Sequence, residues 1–129
     1  MQPDVSFVIA AYNAEGDITR AIESALAQHG VSVEVIVVDD CSRDRTVEVA
    51  RAFPPEQVKV IALDRNRGPG GARNAGLDAA TGRWISVLDS DDTVRPDRLR
   101  RMIDRAQTAG ASIAGDNIEV MEEGDGARQ

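Results

Sequence analysis

One run constrains this chain more than any other. WISVLD at 84–89 continues straight into Ser90, Asp91 and Asp92, so an apolar stretch ends in three carboxylates within four positions. The run reads as a buried strand, and its acidic end as the place where that strand emerges. Three carboxylates this close repel one another unless something positive sits between them. On a rigid strand end they suit a divalent cation held by hard oxygen ligands; a solvated turn is the plainer alternative.

The rest of the chain supplies a layered context for that strand. Val5–Ala11 is short and apolar on both faces, as a strand inside a parallel sheet is. Residues 33–38 and 58–63 read as further strands. Between them, Asn13 is an expected N-cap for a helix over 15–28, with Ile18, Ile22, Ala25 and Leu26 forming its apolar stripe. Thr46 opens a short helix to about Phe53, which Pro54 and Pro55 stop. A loop at 64–71 leads to a small-residue helix over 72–80, and Pro96 begins a helix in which Leu99, Met102, Ile103 and Ala106 follow the i, i+3, i+4, i+7 rule. Residues 111–114 are expected as a fifth strand ending near Asp116 and Asn117. Strands alternating with helices predict a three-layer α/β/α fold with a mostly parallel central sheet.

Composition narrows the partners. At 129 residues the chain holds a single core, and with only 3% aromatic residues that core is built from Val, Ile, Leu and Ala. A net charge of −7 repels a phosphate backbone, and no basic cluster interleaved with aromatics offsets it, so nucleic acid is excluded as a partner. Cys41 is the lone cysteine and favours a reducing compartment. No stretch reaches the ~20 apolar residues of a membrane span and no signal peptide opens the chain, so a cytoplasmic protein is expected. Cys41 and the only histidine, His29, read as inert: a turn residue, and a helix C-terminal residue capped by Gly30.

Three predicted strand ends carry polar groups at one edge of the sheet: Tyr12 with Asn13, Asp39 with Asp40, and Asp89 to Asp92. Ligands of open α/β sheets bind beyond that edge, where the strand order reverses. Tyr12 is able to stack on a planar ring, and Asp39 or Asp40 to accept from a base N–H or a sugar hydroxyl. Asp89 and Asp91 suit a cation that would neutralise a diphosphate. Arg73, at the expected start of its helix, is placed for phosphate oxygens, with a surface arginine as the alternative. The Gly68–Gly71 stretch has neither the GxGxxG nor the P-loop spacing.

Taken together, VIAAYN at 8–13, VIVVDDCSRD at 35–44, GGARNAG at 70–76 and WISVLDSDD at 84–92 resemble the successive motifs of family 2 glycosyltransferases. They match in order and spacing over about residues 4–117. The resemblance implies a GT-A fold, a nucleoside-diphosphate sugar donor (a UDP-sugar), and a Mn2+ or Mg2+ ion on the Asp-x-Asp motif. It also implies inverting transfer to a saccharide or lipid-linked acceptor, in surface-polysaccharide (exopolysaccharide) biosynthesis. Carried over by position, Ala11, Tyr12, Asn13, Asp39, Asp40, Arg73, Asp89 and Ser90 bind the nucleotide sugar. Tyr12 and Asp39 would contact the base with Asp40 close by, while Asp89 and Ser90 face ribose and metal. Asp89 and Asp91 would be the metal ligands, Asp91 the chief one.

Two departures follow from the same comparison. Cys41 stands where the family usually has glycine. The family's catalytic base is a carboxylate far beyond the Asp-x-Asp motif, so it is expected past Gln129, and Glu122, Glu123 and Asp125 come too early for the role. The chain is therefore expected to be the donor-binding part of a longer enzyme, residues 1–117 with a flexible tail at 118–129, and to show negligible transfer alone. Membrane association is expected only through a part beyond it, and an uncovered sheet edge offers a route to a homodimer.

The rival readings fit less well. A phospho-receiver domain wants an acidic pair after its first strand and a lysine after its fifth. Here the first strand ends in Tyr12 and Asn13, and the only lysine, Lys59, comes far earlier. A sugar nucleotidyltransferase wants a basic glycine-rich loop after the first strand, where residues 14–17 are acidic. A non-catalytic nucleotide-binding domain is the blandest alternative.

Overall fold

The computed structural model describes residues 2–108 and 110, together with the strands at 113–114 and 119–122. In chain order the elements are β1 (Val5–Ala11), α1 (Ile18–Leu26), β2 (Val33–Asp39), α2 (Thr46–Arg51), β3 (Val58–Ala62), α3 (Gly68–Ala79), β4 (Trp84–Asp89), α4 (Arg98–Thr108), β5 (Ile113–Ala114) and β6 (Glu119–Glu122). The sheet order is β3-β2-β1-β4-β6-β5. The first four strands pair in parallel, whereas β6 runs antiparallel to β4 and β5 antiparallel to β6.

The apolar runs explain the layers. Along β1, Val5, Phe7, Ile9 and Ala11 point to one face and pack with Val35, Val37, Trp84 and Leu88 against α1, α2 and α4. On the other face Ile36 and Val38 meet α3 through Ala72, with Ala10, Ile61 and Ala75 beside them. Residues buried on both faces are what a parallel strand between helix layers requires. The three-layer α/β/α expectation is met. Small residues let α3 lie close to the sheet: a Cβ on Gly76 would run into Val8 Cγ1 and come within 3.1 Å of Val38 Cγ2. α4 buries Leu99, Met102, Ile103 and Ala106, as their spacing predicts.

Several boundaries differ from the sequence reading. α1 begins at Ile18 behind Asp17, not behind Asn13. Asn13 has a positive φ of 50° and its side-chain oxygen accepts from Arg43 N–H at 2.9 Å, so it is unavailable as a cap. α1 also ends at Leu26, before His29, whose N–H donates to Pro96 O at 2.7 Å. α3 starts at Gly68, so the expected loop is shorter. Pro69 sits in its first turn, where a missing N–H costs nothing, and Asn66 Oδ1 accepts Gly68 N–H at 3.1 Å. β6 lies inside the stretch read as tail. Asp116, Asn117 and 123–129 lie outside the described residues.

The strand starts carry a second polar group at the opposite edge. Glu34 Oε2 accepts the hydroxyls of Ser6 and Thr81 at 2.6 and 2.7 Å and the Thr81 N–H at 2.8 Å. Its Oε1 faces Lys59 Nζ at 3.0 Å. Burial pushes this carboxyl up, but the hydrogen bonds from Ser6, Thr81 and Lys59 outweigh it and hold the pKa at about 2.

Candidate functional site

β1 is the point at which strand order reverses: β2 and β3 lie on one side of it and β4 on the other. The register pairs Ala11 with Asp39 of β2, and Ala10 with Asp89 of β4. Because strands lie about 4.8 Å apart, this pairing brings the carboxylate-bearing ends of β2 and β4 to either side of a single strand end.

Asp39 is only 2% exposed. Its Oδ2 accepts Ser42 N–H at 3.0 Å, while Oδ1 is buried without a partner in the chain. A buried acceptor left in this state is costly unless a ligand donor or water meets it. Asp40 is used differently. Its Oδ1 accepts Arg67 N–H at 2.7 Å, its carbonyl accepts Asn66 Nδ2 at 3.2 Å, and its own N–H donates to Ala11 O at 2.8 Å. These bonds shape a cleft of about 180 Å3 above the end of β1, walled by Ala10, Ala11, Tyr12, Asp40, Asn66 and Pro69, with Gly68 and Ala72. The Tyr12 ring is 49% exposed beside it.

The loops after β1 and β2 are laced together. Asn13 N–H donates to Ser42 Oγ at 2.8 Å, Ala14 N–H to Thr46 Oγ1 at 2.8 Å, and Glu15 N–H to Asp44 Oδ2 at 3.2 Å. Arg45 N–H returns a bond to Glu15 Oε2 at 3.3 Å. The slight burial of Asp44 pushes its carboxyl up, but the Thr46 hydroxyl and N–H and the Glu15 N–H overcome this and hold it below the ordinary value. Cys41 takes a φ of 64° within this lacing. The turn thus keeps the left-handed conformation that glycine favours.

At the end of β4, Asp92 N–H donates to Asp89 O at 3.0 Å and closes a tight turn. Oxygens of Asp89, Asp91 and Asp92 all lie within 4.8 Å of one another, and all three residues are exposed. Several hard anionic oxygens on one turn form a donor set of the kind Mn2+ and Mg2+ take. Asp92 belongs to the acidic run that the sequence offers to a cation, although the family resemblance implies only Asp89 and Asp91 as metal ligands. Its signal was the run of acids itself, but only the turn shows that all three converge.

The structure thus gathers Ala11, Tyr12 and Asp40 around the cleft, with Asp39 at the adjoining strand end and Asp89, Ser90 and Asp91 on the other side of β1. Asn13 holds loops together and does not wall the cleft. Arg73 lies in the second turn of α3, not at its start, and is half-buried with Nε unpartnered in the chain. Asn66 was missed because its loop carries no nucleotide-binding spacing; the only trace was an Asn two residues before a Gly. A larger hollow of about 410 Å3 between α1 and α2, at Thr19, Val49 and Phe53, touches none of these groups.

Comparison with known proteins places the chain among characterised relatives of the same fold. The chain is 71% identical over 119 residues to the succinoglycan biosynthesis protein ExoO of Rhizobium meliloti (strain 1021), covering 92% of this chain and 34% of that protein. It superposes on S. aureus TarS 1–349 in complex with UDP-GlcNAc with a TM-score of 0.78 at 30% identity, covering 100% of this chain and 37% of that one. The mannosyltransferase PcManGT of Pyrobaculum calidifontis, in complex with GDP-Man and Mn2+, is similar with a TM-score of 0.73 at 25% identity, over 82% of this chain and 33% of that one. The chain spans about a third of these proteins' length. Residues 6–129 match the family model for glycosyl transferase family 2, and the chain belongs to that family.

Proposed function

We propose that this chain binds the sugar donor of a glycosyltransferase, a nucleoside-diphosphate sugar with UDP as the expected nucleotide, in the building of a surface polysaccharide. The observation that carries the reading is the register that sets Asp39 beside Ala11 and Asp89 beside Ala10. It puts a buried, under-used acceptor and an acidic turn on either side of an exposed aromatic ring. The similarity to the succinoglycan biosynthesis protein ExoO and to TarS in complex with UDP-GlcNAc supports the same reading.

In this arrangement the Tyr12 ring stacks on the base while its hydroxyl stays wet. Asp39 Oδ1 accepts a base N–H, which relieves its missing hydrogen bond. Asp40 keeps the cleft wall in place. Ser90 faces the ribose, and Arg73 turns its guanidinium toward phosphate oxygens. Asp89, Asp91 and Asp92 would hold a Mn2+ or Mg2+ ion, with Asp91 the chief ligand. When bound, that ion supplies Lewis-acid stabilisation of the departing diphosphate.

The transfer itself is inverting. An acceptor hydroxyl, on a saccharide or lipid carrier, attacks the anomeric carbon in line, and the bond to the nucleoside diphosphate breaks. The general base for this attack is assigned to no residue of this chain, and transfer by these residues alone is expected to be negligible. No helix among the described residues is long and apolar enough to cross a membrane.

Thermal unfolding with UDP, GDP, dTDP and ADP, each with and without Mn2+, tests the reading. A ligand at about a hundredfold its Kd stabilises by roughly 2.7 kcal/mol, a rise of several degrees for a domain of this size. A Mn2+-dependent rise with UDP that Asp91→Ala abolishes is the expected result. A well-folded chain that responds to none of the four nucleotides would count against donor binding.

A further inference from the structure

The Tyr12 ring is half exposed, so close packing does not lock it, and its direction is set by the backbone on either side. On the near side, Ala11 O accepts Asp40 N–H at 2.8 Å, a backbone bond that any residue but proline would make at position 40. On the far side, Asn13 N–H donates to Ser42 Oγ at 2.8 Å, and that bond depends on one side chain. Ser42 also reaches back to the end of β2, where its own N–H donates to Asp39 Oδ2 at 3.0 Å. We propose that Ser42 is a positioning residue of the donor cleft, joining the Asp39 carboxylate to the backbone that carries Tyr12. The role rests on the proposed donor site and gives Ser42 no contact with the nucleotide.

Each bond fixes a different half of the cleft. Holding Asp39 Oδ2 sets the plane of the carboxylate and leaves the buried Oδ1 as the oxygen without a partner. Holding the Asn13 N–H supports a φ of 50°, a left-handed conformation that asparagine tolerates better than most residues. Arg43 N–H donates to Asn13 Oδ1 at 2.9 Å, so residue 13 and the 42–43 pair bond reciprocally. A base that stacks on Tyr12 presents its N–H groups at its edge, in the plane of its own ring. Stacking and a hydrogen bond to Asp39 reach the same base together only if ring and carboxylate keep a fixed offset.

Removing the Ser42 hydroxyl separates this role from a purely structural one. Asn13 is exposed, so water takes the place of Ser42 Oγ on its N–H and little folding stability is lost. Ala14 N–H on Thr46 Oγ1 and Glu15 N–H on Asp44 Oδ2, farther along the chain from Tyr12, still lace the two loops. The Ser42 N–H still holds Asp39, because it belongs to the backbone. What loosens is the placement of the Tyr12 ring, and the nucleotide must then order it on binding.

A double-mutant cycle tests it, with UDP titrated calorimetrically in the presence of Mn2+ into the parent chain, S42A, Y12A and S42A/Y12A. S42A is expected to melt within a few degrees of the parent, to keep its Mn2+ affinity, and to lose about fivefold in UDP affinity. In the Y12A background the same change is expected to cost less than about twofold, because the ring that Ser42 places is gone. S42T, which keeps the hydroxyl, is expected to bind UDP within about twofold of the parent. If S42A does not fold, S42C, whose thiol is a weak acceptor, replaces it in the cycle with the same expectations. The role is overturned if the folded variant binds UDP as tightly as the parent, if its loss is undiminished without Tyr12, if Mn2+ affinity falls by the same factor, or if S42T loses as much as S42A. Each of those outcomes leaves the donor site standing. A parent chain that takes up no UDP overturns the donor site, and the role of Ser42 with it.

Discussion

The backbone N–H of Arg67 donates to Asp40 Oδ1 at 2.7 Å, tying the end of β2 to the turn ahead of α3. Its neighbour Asp39 instead keeps one buried oxygen without a partner. The two adjacent aspartates therefore divide the work, one shaping the cleft and the other left to meet a ligand. Asp40→Ala strands the Arg67 N–H and is expected to lower stability by about 1–3 kcal/mol. Asp39→Asn is expected to stay within about 1 kcal/mol of the parent yet lose at least about tenfold in UDP affinity. Chemical denaturation and calorimetric titration check both; equal stability losses would show that the roles are not divided.

The third carboxylate of the β4 turn makes its own prediction. Asp92→Ala is expected to weaken Mn2+ binding by about tenfold, since one hard oxygen ligand is lost from the set. Free Mn2+ followed by electron paramagnetic resonance measures it. An affinity equal to the parent's would leave Asp92 outside the ion's ligand set.

Glu34 predicts a pH dependence with a definite sign. Its folded pKa lies at about 2 against an ordinary 4.5, so its stabilisation is complete above about 4.5 and is lost as pH falls from there to about 2. The full effect amounts to at most about 3 kcal/mol. The stability gap between the parent chain and Glu34→Gln should therefore shrink across that window and stay constant above it. A gap that does not vary with pH would mean that the carboxylate's charge contributes nothing.

Gly76→Ala sets a helix preference against a close approach. Alanine gains roughly 1 kcal/mol in helix propensity. Its methyl meets Val8 and Val38, both fully buried and β-branched, so neither side chain yields easily. Overpacking of this kind costs about 1–3 kcal/mol, and a net loss of stability is expected. A higher melting temperature in the variant would show that α3 shifts freely.

Cys41→Gly is expected to do the opposite. The left-handed conformation at φ 64° costs a non-glycine residue about 1–2 kcal/mol, partly offset by the ~0.5–1 kcal/mol of extra chain entropy that glycine loses on folding. A gain of up to about 1.5 kcal/mol follows, readable by denaturant titration. A destabilised variant would show that the Cys41 side chain contributes more than its backbone costs.

Local chemistry was enough for much of this. Apolar runs bounded by turn residues placed β1 through β4 to within a residue, because a parallel strand between helix layers is buried on both faces, and the i, i+3, i+4, i+7 stripe placed the buried face of α4, because helical spacing is set by covalent geometry. The same runs marked the strand ends where Tyr12, Asp39 and Asp89 to Asp92 stand. Chain partners far apart in sequence decided the rest. Asn13 left its expected cap because Arg43 and Ser42 occupy it, and α3 began early because Asn66 and Asp40 organise its first turn. Only the packed fold separated the role of Asp39 from that of Asp40, brought the three carboxylates of the β4 turn within 4.8 Å of one another, and gathered Arg95 with the α4 arginines into one hollow. Propensity and spacing act over a few residues, whereas hydrogen bonds across loops and the pooling of charge depend on which segments the sheet order brings together.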